Sequence, residues 1–279
     1  MKEAMKVTWL ALIGGLIALA SAPPVVADCT LAIETGTADP NAPQITRVYL
    51  KPDRLRLEMA PAAGATSARE IIYRADQRKL WIVDGGTKTY RTIDQRQMAE
   101  LGQKMNEALA GLSAEIDKLP PEQRQRVEQL MMGEKPSLNQ PADEFRKTDQ
   151  KQTIDGFTCV GYDYYRGDQK AGETWLASWS DVGLDPKTFQ VFESFQQFFA
   201  PAGAASSSPA LKRELRADLA NLSRLDGFPV LIRDVKDTRI VSESRMRVLA
   251  RDPLPDDRFT VPPDYTAQAL PQLPASGGK

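Results

Sequence analysis

The stretch Lys79 to Asp94, KLWIVDGGTKTYRTID, constrains the fold of this chain more than any other. Asp84-Gly85-Gly86-Thr87 is turn chemistry between two runs of strand-forming residues, so the segment reads as a β-hairpin. Its first arm is apolar on both faces. Leu80 and Ile82 point one way, Trp81 and Val83 the other, because successive strand side chains alternate. An antiparallel sheet usually leaves one face to water. Here both faces need cover, and the rest of the chain must supply it.

The neighbouring segments are also strands. Gln44–Lys51 alternates, and in Arg54–Met59 the residues Leu55, Leu57 and Met59 share one face while Arg54, Arg56 and Glu58 take the other. Arg69–Arg74 is the next strand. Near Asp94 the period changes. Met98, Leu101, Met105, Leu109, Leu112, Ile116 and Leu119 recur at steps of three and four, one stripe of an amphipathic helix. Pro120-Pro121 breaks it, and a short second helix is expected from about Pro121 to Met132. Strand pattern returns from Phe145 to Trp179, with Trp175 and Trp179 expected on one strand face. Asp185-Pro186 is a helix start, a capping residue followed by proline in the first turn. That helix carries Phe189, Phe192, Phe195, Phe198 and Phe199. Ala200–Pro209 has the composition of a flexible linker, and Leu211, Leu215, Leu219 and Leu222 mark another helix. Pro229–Val235 and Arg239–Arg251 are the last strands expected. The proline-rich stretch from Asp252 to Pro263 reads as a loop, followed by a tail.

The first residues have Lys2 and Lys6 before an apolar run from Val7 to Ala20, then Val25-Val26-Ala27. This pattern predicts a secretory signal peptide over residues 1–27, cleaved after Ala27. The run is shorter than the roughly 20 residues of a spanning helix, so no membrane span is expected after cleavage. Cys29 and Cys159 are the two cysteines. In an exported chain they are expected to form a disulfide. The alternatives are a lipid anchor on Cys29, against which Asp28 directly before it is a poor match, and a reactive thiol at Cys159, which needs an activating neighbour.

The chain has no histidine. That removes Ser–His–Asp and Cys–His triads, His-ligated zinc and the usual proton shuttle at neutral pH. No calcium loop of the D-x-D-x-D-G kind is present. Neither a metal site nor a cofactor is expected, and the reading is of a protein that is not an enzyme. Without residues 1–27 the chain has 34 basic against 36 acidic side chains, a net charge near −2. A nucleic-acid partner would need a basic surface.

The helical stripes have two readings. They are permanent core, or they are a lid over a concave sheet, a role that suits the flexible side chains of Met98 and Met105. The apolar arc of the phenylalanine helix is wider than one-sided contact needs, which means burial on more than one side or a surface kept for a ligand or partner.

Three sets of segments together resemble a known group. "LKPDRLRLEM" with "IIYRADQRKLWIVDGGTKTYRTID", then "IDGFTCVGYDYY" with "ETWLASW", then "DGFPVLIRDV" with "RFTVPPDY" are similar to a family of exported bacterial proteins. Its layout resembles that of the periplasmic lipoprotein carriers, the LolA-like fold. The resemblance implies an α+β fold: a curved, incomplete antiparallel β-barrel whose concave face is covered by amphipathic helices and holds acyl chains. One domain is then expected over residues 28–265, with helical insertions at 94–133 and 185–226 and a disordered tail at 266–279. The function expected is that of a periplasmic binding or carrier protein for an apolar ligand, a lipid or an acylated protein. The alternative is an envelope interaction or sensor protein that docks on a membrane-protein partner. The ligand-lining residues expected are Trp81, Met98, Leu101, Met105, Leu109, Trp175, Phe189, Phe192, Phe195 and Phe199.

Overall fold

A computed structural model describes residues 28–37, 44–61, 68–120, 122–124, 144–201, 225–236 and 238–270, without the side chains of Thr37, Met105, Leu109 and Leu112. The strands are β1 (Cys29–Thr37), β2 (Gln44–Lys51), β3 (Arg54–Met59), β4 (Arg69–Arg74), β5 (Lys79–Asp84), β6 (Thr89–Asp94), β7 (Glu144–Ile154), β8 (Phe157–Arg166), β9 (Gln169–Ala177), β10 (Phe228–Lys236), β11 (Arg239–Ala250) and β12 (Thr266–Ala267). They form one 12-stranded sheet in the order β12-β6-β5-β4-β3-β2-β1-β11-β10-β9-β8-β7. The sheet is curved and does not close, so β12 and β7 are its edges. Every pair is antiparallel except β12 with β6. β1 lies between β2 and β11 and so joins the two halves of the ladder.

Register turns the alternation of single strands into continuous apolar rows. Leu31, Val48, Leu57, Ile71 and Ile82 lie opposite one another across β1 to β5. Cys29, Leu50, Leu55, Tyr73, Leu80 and Ile93 form the adjoining row. Both rows belong to the main core, on the concave face. A slip of one residue anywhere would send a whole row to the other side, so burial fixes the register.

Helices roof that face, as expected. α1 (Gln95–Asp117) starts in a capping box: Gln97 N–H donates to Asp94 Oδ1 at 2.8 Å, and Asp94 N–H donates to Gln97 Oε1 at 2.9 Å. Met98 is buried in the main core and Leu101 packs against it. Of the side chains described between Gln103 and Glu115, all are exposed. The cap lies one turn from the buried Met98, and Asp94→Ala is expected to cost about 1 kcal/mol of stability, read as a lowered denaturation midpoint. α2 (Trp179–Val182) is a single turn. A 3-10 turn (Pro186–Phe189) runs into α3 (Gln190–Phe199). Trp179, expected on a strand beside Trp175, instead opens α2, because Ser178 caps a helical turn there. The helices expected at about Pro121–Met132 and around Leu211–Leu222 fall largely outside the described residues.

Candidate binding face

The roof is built by local signals that end one turn and start the next. Gly183 takes the left-handed conformation, φ 64°, and closes α2. The Arg251 guanidinium holds that turn in place, with Nε donating to the Val182 carbonyl at 2.9 Å. Asp185 then caps the 3-10 turn by accepting from Lys187 N–H at 2.9 Å. From there the chain drives one aromatic after another into the sheet. Phe189 and Val191 are 0 % exposed, Phe198 2 %, and Phe192 and Phe195 4 %.

These side chains interlock with strand residues. Tyr73 on β4 meets Phe195 edge-on with centroids 5.1 Å apart and Phe198 at 5.5 Å, and its hydroxyl donates to the Ser194 carbonyl at 2.9 Å. Phe189 packs between Trp179 at 5.2 Å and Phe228 on β10 at 6.1 Å. The 3-10 turn and α3 that follows it are thus tied to both halves of the ladder. Pairs of this kind add roughly 0.5–1.5 kcal/mol each beyond area burial.

The convex face has its own cover. Tyr49, Ile72, Val83 and Phe259 form a second core, with Trp81, Tyr90, Leu254, Val261 and Tyr265 packed against it. The covering piece is the C-terminal segment, which crosses the outside of β2 to β6 as a strap. Phe259, in a 3-10 turn (Asp256–Phe259), is fully buried. Asp256 pairs with Lys51 at 2.7 Å and Arg54 at 3.0 Å, Arg258 stacks over the Tyr49 ring, and the Arg258 carbonyl accepts from Arg56 at 2.8 Å.

This arrangement corrects the sequence reading of Trp81. It does not face the helices with Phe189 and Met98. Alternation puts Leu80 and Ile82 on the roofed side and turns Trp81 to the strap. The segment from Asp252 to Pro263, read as a loop, is the cover of that side. The tail expected to be disordered from residue 266 begins with β12, while residues 271–279 lie outside the described residues.

The remaining expected lining residues divide as follows. Met98, Trp175, Phe189, Phe192 and Phe195 lie in the main core, and Leu101 and Phe199 pack on it half-buried. The side chains of Met105 and Leu109 fall outside the described residues. Sequence reasoning missed Tyr73, Phe228 and Phe259, the residues that key the roof and the strap to the sheet. Tyr73 and Phe228 carried the signal of aromatics on strand faces. Phe259 carried none beyond being an aromatic among prolines.

The cysteines depart from expectation. Both are buried and free. Cys29 is on β1 and Cys159 on β8, with β11, β10 and β9 between them in the sheet. Strands are spaced about 4.8 Å apart, and a bridge needs its Cα atoms within about 7 Å. Burial, with a smaller push from Asp28 and against the pull of Arg251, raises the Cys29 thiol to about 12. Burial also raises Cys159, opposed by a backbone hydrogen bond at Ile154. Neither is poised as a nucleophile. The expected results are an unchanged denaturation midpoint with and without reductant, and no alkylation of the native protein at pH 8. A midpoint that falls under reductant would restore the bridge.

Among the described residues no group of three or more Asp, Glu or Cys is placed to hold a metal ion. A carboxylate pair does occur on the convex face. Glu58 and Glu70 flank Arg56, at 3.2 Å and 2.5 Å. Burial raises the Glu70 carboxyl above its usual range while Arg56 pulls it back. Both carboxylates are engaged by the arginine under the strap, so the pair reads as a salt-bridge network rather than an acid–base couple.

No protein-family profile matches the chain, and no curated protein matches it by sequence. Solved structures similar to it include an uncharacterized conserved protein from Thermus thermophilus, with TM-score 0.45 and 7 % identity over 88 % of this chain and 92 % of that one. The complex of MucA and MucB from Pseudomonas aeruginosa matches with TM-score 0.35 and 10 % identity over 85 % of this chain, which spans 57 % of the length of the chain it matches there. A LolA superfamily protein from Nitrosomonas europaea matches with TM-score 0.25 and 11 % identity over 84 % of this chain and 89 % of that one. Each TM-score lies below 0.5, and the fold stands on the sheet order and the packing described above.

Proposed function

We propose that this chain is a non-catalytic protein of the bacterial envelope that recognises a protein partner through its surface. The observation that carries the reading is the depth to which the phenylalanine helix is keyed into the sheet. An interior carrier of acyl chains needs that roof to lift. Lifting it exposes Phe189, Val191, Phe192, Phe195 and Phe198, each 4 % exposed or less. At about 1.5–3 kcal/mol per side chain the cost is on the order of 10 kcal/mol, comparable to the whole stability of a typical domain. A roof of that kind acts as core, and recognition is left to the outside of the molecule. Placement in the envelope is supported by the leader-like pattern of residues 1–27. No helix among the described residues is long and apolar enough to cross a membrane.

Two measurements on the exported protein test this. Native mass spectrometry of chain purified from the periplasm is expected to give the mass of the empty mature protein. Photo-crosslinkers placed one at a time at exposed positions such as Ile45, Lys88 and Leu249 are expected to trap, in cells, one adduct of defined mass. A lipid retained at one per chain and displaced by a fluorescent fatty acid would return the protein to the carrier class.

A further inference from the structure

The strap changes character along its length. From Leu254 to Val261 it is locked by the burial of Phe259 and by the cations around Asp256. From Asp264 onward it is held at a sheet edge. Thr266 N–H donates to the Lys88 carbonyl at 2.9 Å, and Gln268 N–H donates to the Tyr90 carbonyl at 2.8 Å. β12 has two residues, both exposed, and among the described residues pairs with Thr89 and Tyr90 of the six-residue β6 alone. Lys88 pairs with Asp264 at 2.8 Å, but the two side chains are 63 % and 55 % exposed, and so wet a pair contributes little. Tyr265 lies on the convex core and Leu270 on the concave one, so the segment straddles the edge.

One group at this edge is left unsatisfied. Arg91 Nη2 donates to Gln268 Oε1 at 3.1 Å, while its Nε is buried without a hydrogen-bond partner among the described residues. An amide oxygen can serve one arm of a guanidinium. A carboxylate in the same place would serve two, in the bidentate geometry that arginine favours. The tail therefore fits this edge incompletely, and the misfit says what would fit better.

We propose that the β6 edge is a strand-addition site for an extended acidic segment of a protein partner, filled in the free protein by the chain's own residues 264–270. The proposal rests on the docking reading above and names its surface. The guest places a carboxylate at Lys88, an aromatic ring beside Trp81 and Tyr90, main-chain N–H groups on the Lys88 and Tyr90 carbonyls, a second carboxylate at Arg91 and an aliphatic side chain at the concave rim. Main-chain pairing supplies affinity and the flanking side chains supply choice, as in other strand-addition complexes.

The test uses the full mature chain and a fluorescent peptide, PPDYTAEAL, which is residues 262–270 with Glu in place of Gln268. Thr266→Pro removes the N–H that binds the Lys88 carbonyl and loosens the tail. This variant is expected to bind the peptide about tenfold or more tighter than the unaltered chain, because the edge is no longer self-occupied. The same peptide with Gln at that place is expected to bind several-fold more weakly, through Arg91. Joining β12 to β6 with Thr89→Cys and Thr266→Cys, which face each other in the register, is expected to abolish binding when oxidised and to restore it on reduction. Tyr265→Ala, which takes the tail's ring off the convex core and leaves β6 unaltered, is the second loosening variant, should the proline variant fail to fold. Hydrogen exchange at the Gln268 amide reports whether the tail has been released. Release without peptide uptake overturns the proposal, and so does a tail that stays protected in both loosening variants. A dimer formed by tail exchange would assign the edge to a second copy of the chain and overturn the partner reading. Adducts trapped in cells only from positions away from β6 would end the β6 assignment and leave docking standing. Retained lipid with no adduct would end both.

Discussion

Phe189→Ala is expected to lower the unfolding free energy by about 3–5 kcal/mol, the range for removing a fully buried aromatic ring. The side chain is 0 % exposed and touches Trp179, Phe192 and Phe228. Those neighbours belong to a helical turn, to α3 and to β10, and so cannot collapse together into the space left behind. Phe199→Ala is the control. That residue sits at the far end of α3, only half-buried at the edge of the core, and its loss should cost clearly less. Urea denaturation measures both, with the slope unchanged if only stability has changed. The result bears on function. If α3 were a lid at rest on an open trough, trimming Phe189 would leave stability nearly untouched and would speed uptake of a fluorescent fatty acid. A large loss of stability with no uptake is the signature of a roof that is core.

The parts of this fold set by short-range pattern were legible in the sequence. Arg54–Met59, Arg69–Arg74 and the Lys79–Asp94 hairpin are strands within the expected limits, and the change of period at Asp94 marks the start of α1. Asp185-Pro186 opens a helical turn because the cap and the fixed proline φ act locally. What the sequence hid is set by partners far along the chain. Nothing near Cys29 says that its strand lies between β2 and β11, and so nothing said that Cys159 would be out of its reach. The strap was hidden for a different reason. Its prolines lack N–H groups and it has no regular period, so it reads as loop. Its anchors are single residues: Phe259 in a pocket, Asp256 between two cations, Leu254 N–H on Asp28. Alternation did state that Trp81 and Leu80 face opposite ways. It could not state which of two apolar covers each would meet. The candidate site followed the same rule: the phenylalanines were found, and their depth of burial was not.

The second large effect is expected at Gly172 on β9. A methyl group there would run into the Arg233 carbonyl oxygen on β10 and the Tyr164 ring on β8, whose Cζ would lie only 2.6 Å away. The strands on both sides approach this residue because it has no side chain, which is a known use of glycine inside a sheet. Overpacking a buried site costs about 1–3 kcal/mol when side chains can yield. Here one obstacle is main chain in the ladder that pairs Gly172 with Asp234, and the other is a ring whose hydroxyl is bonded to the Asp234 carboxylate. Neither yields without breaking a bond, so Gly172→Ala should lie at the top of that range, about 3 kcal/mol, read from thermal or urea denaturation. Gly36→Ala, where an added methyl group meets nothing within 4 Å, should be neutral or slightly stabilising. Adding Tyr164→Ala to Gly172→Ala separates the two obstacles. Removing the ring should recover only part of the loss, since the carbonyl remains, and the shortfall in the double-mutant cycle measures the main-chain clash. Full recovery would mean that the ring alone holds β9 at this spacing, and that the close fit of β8, β9 and β10 is made by side chains rather than by the ladder itself.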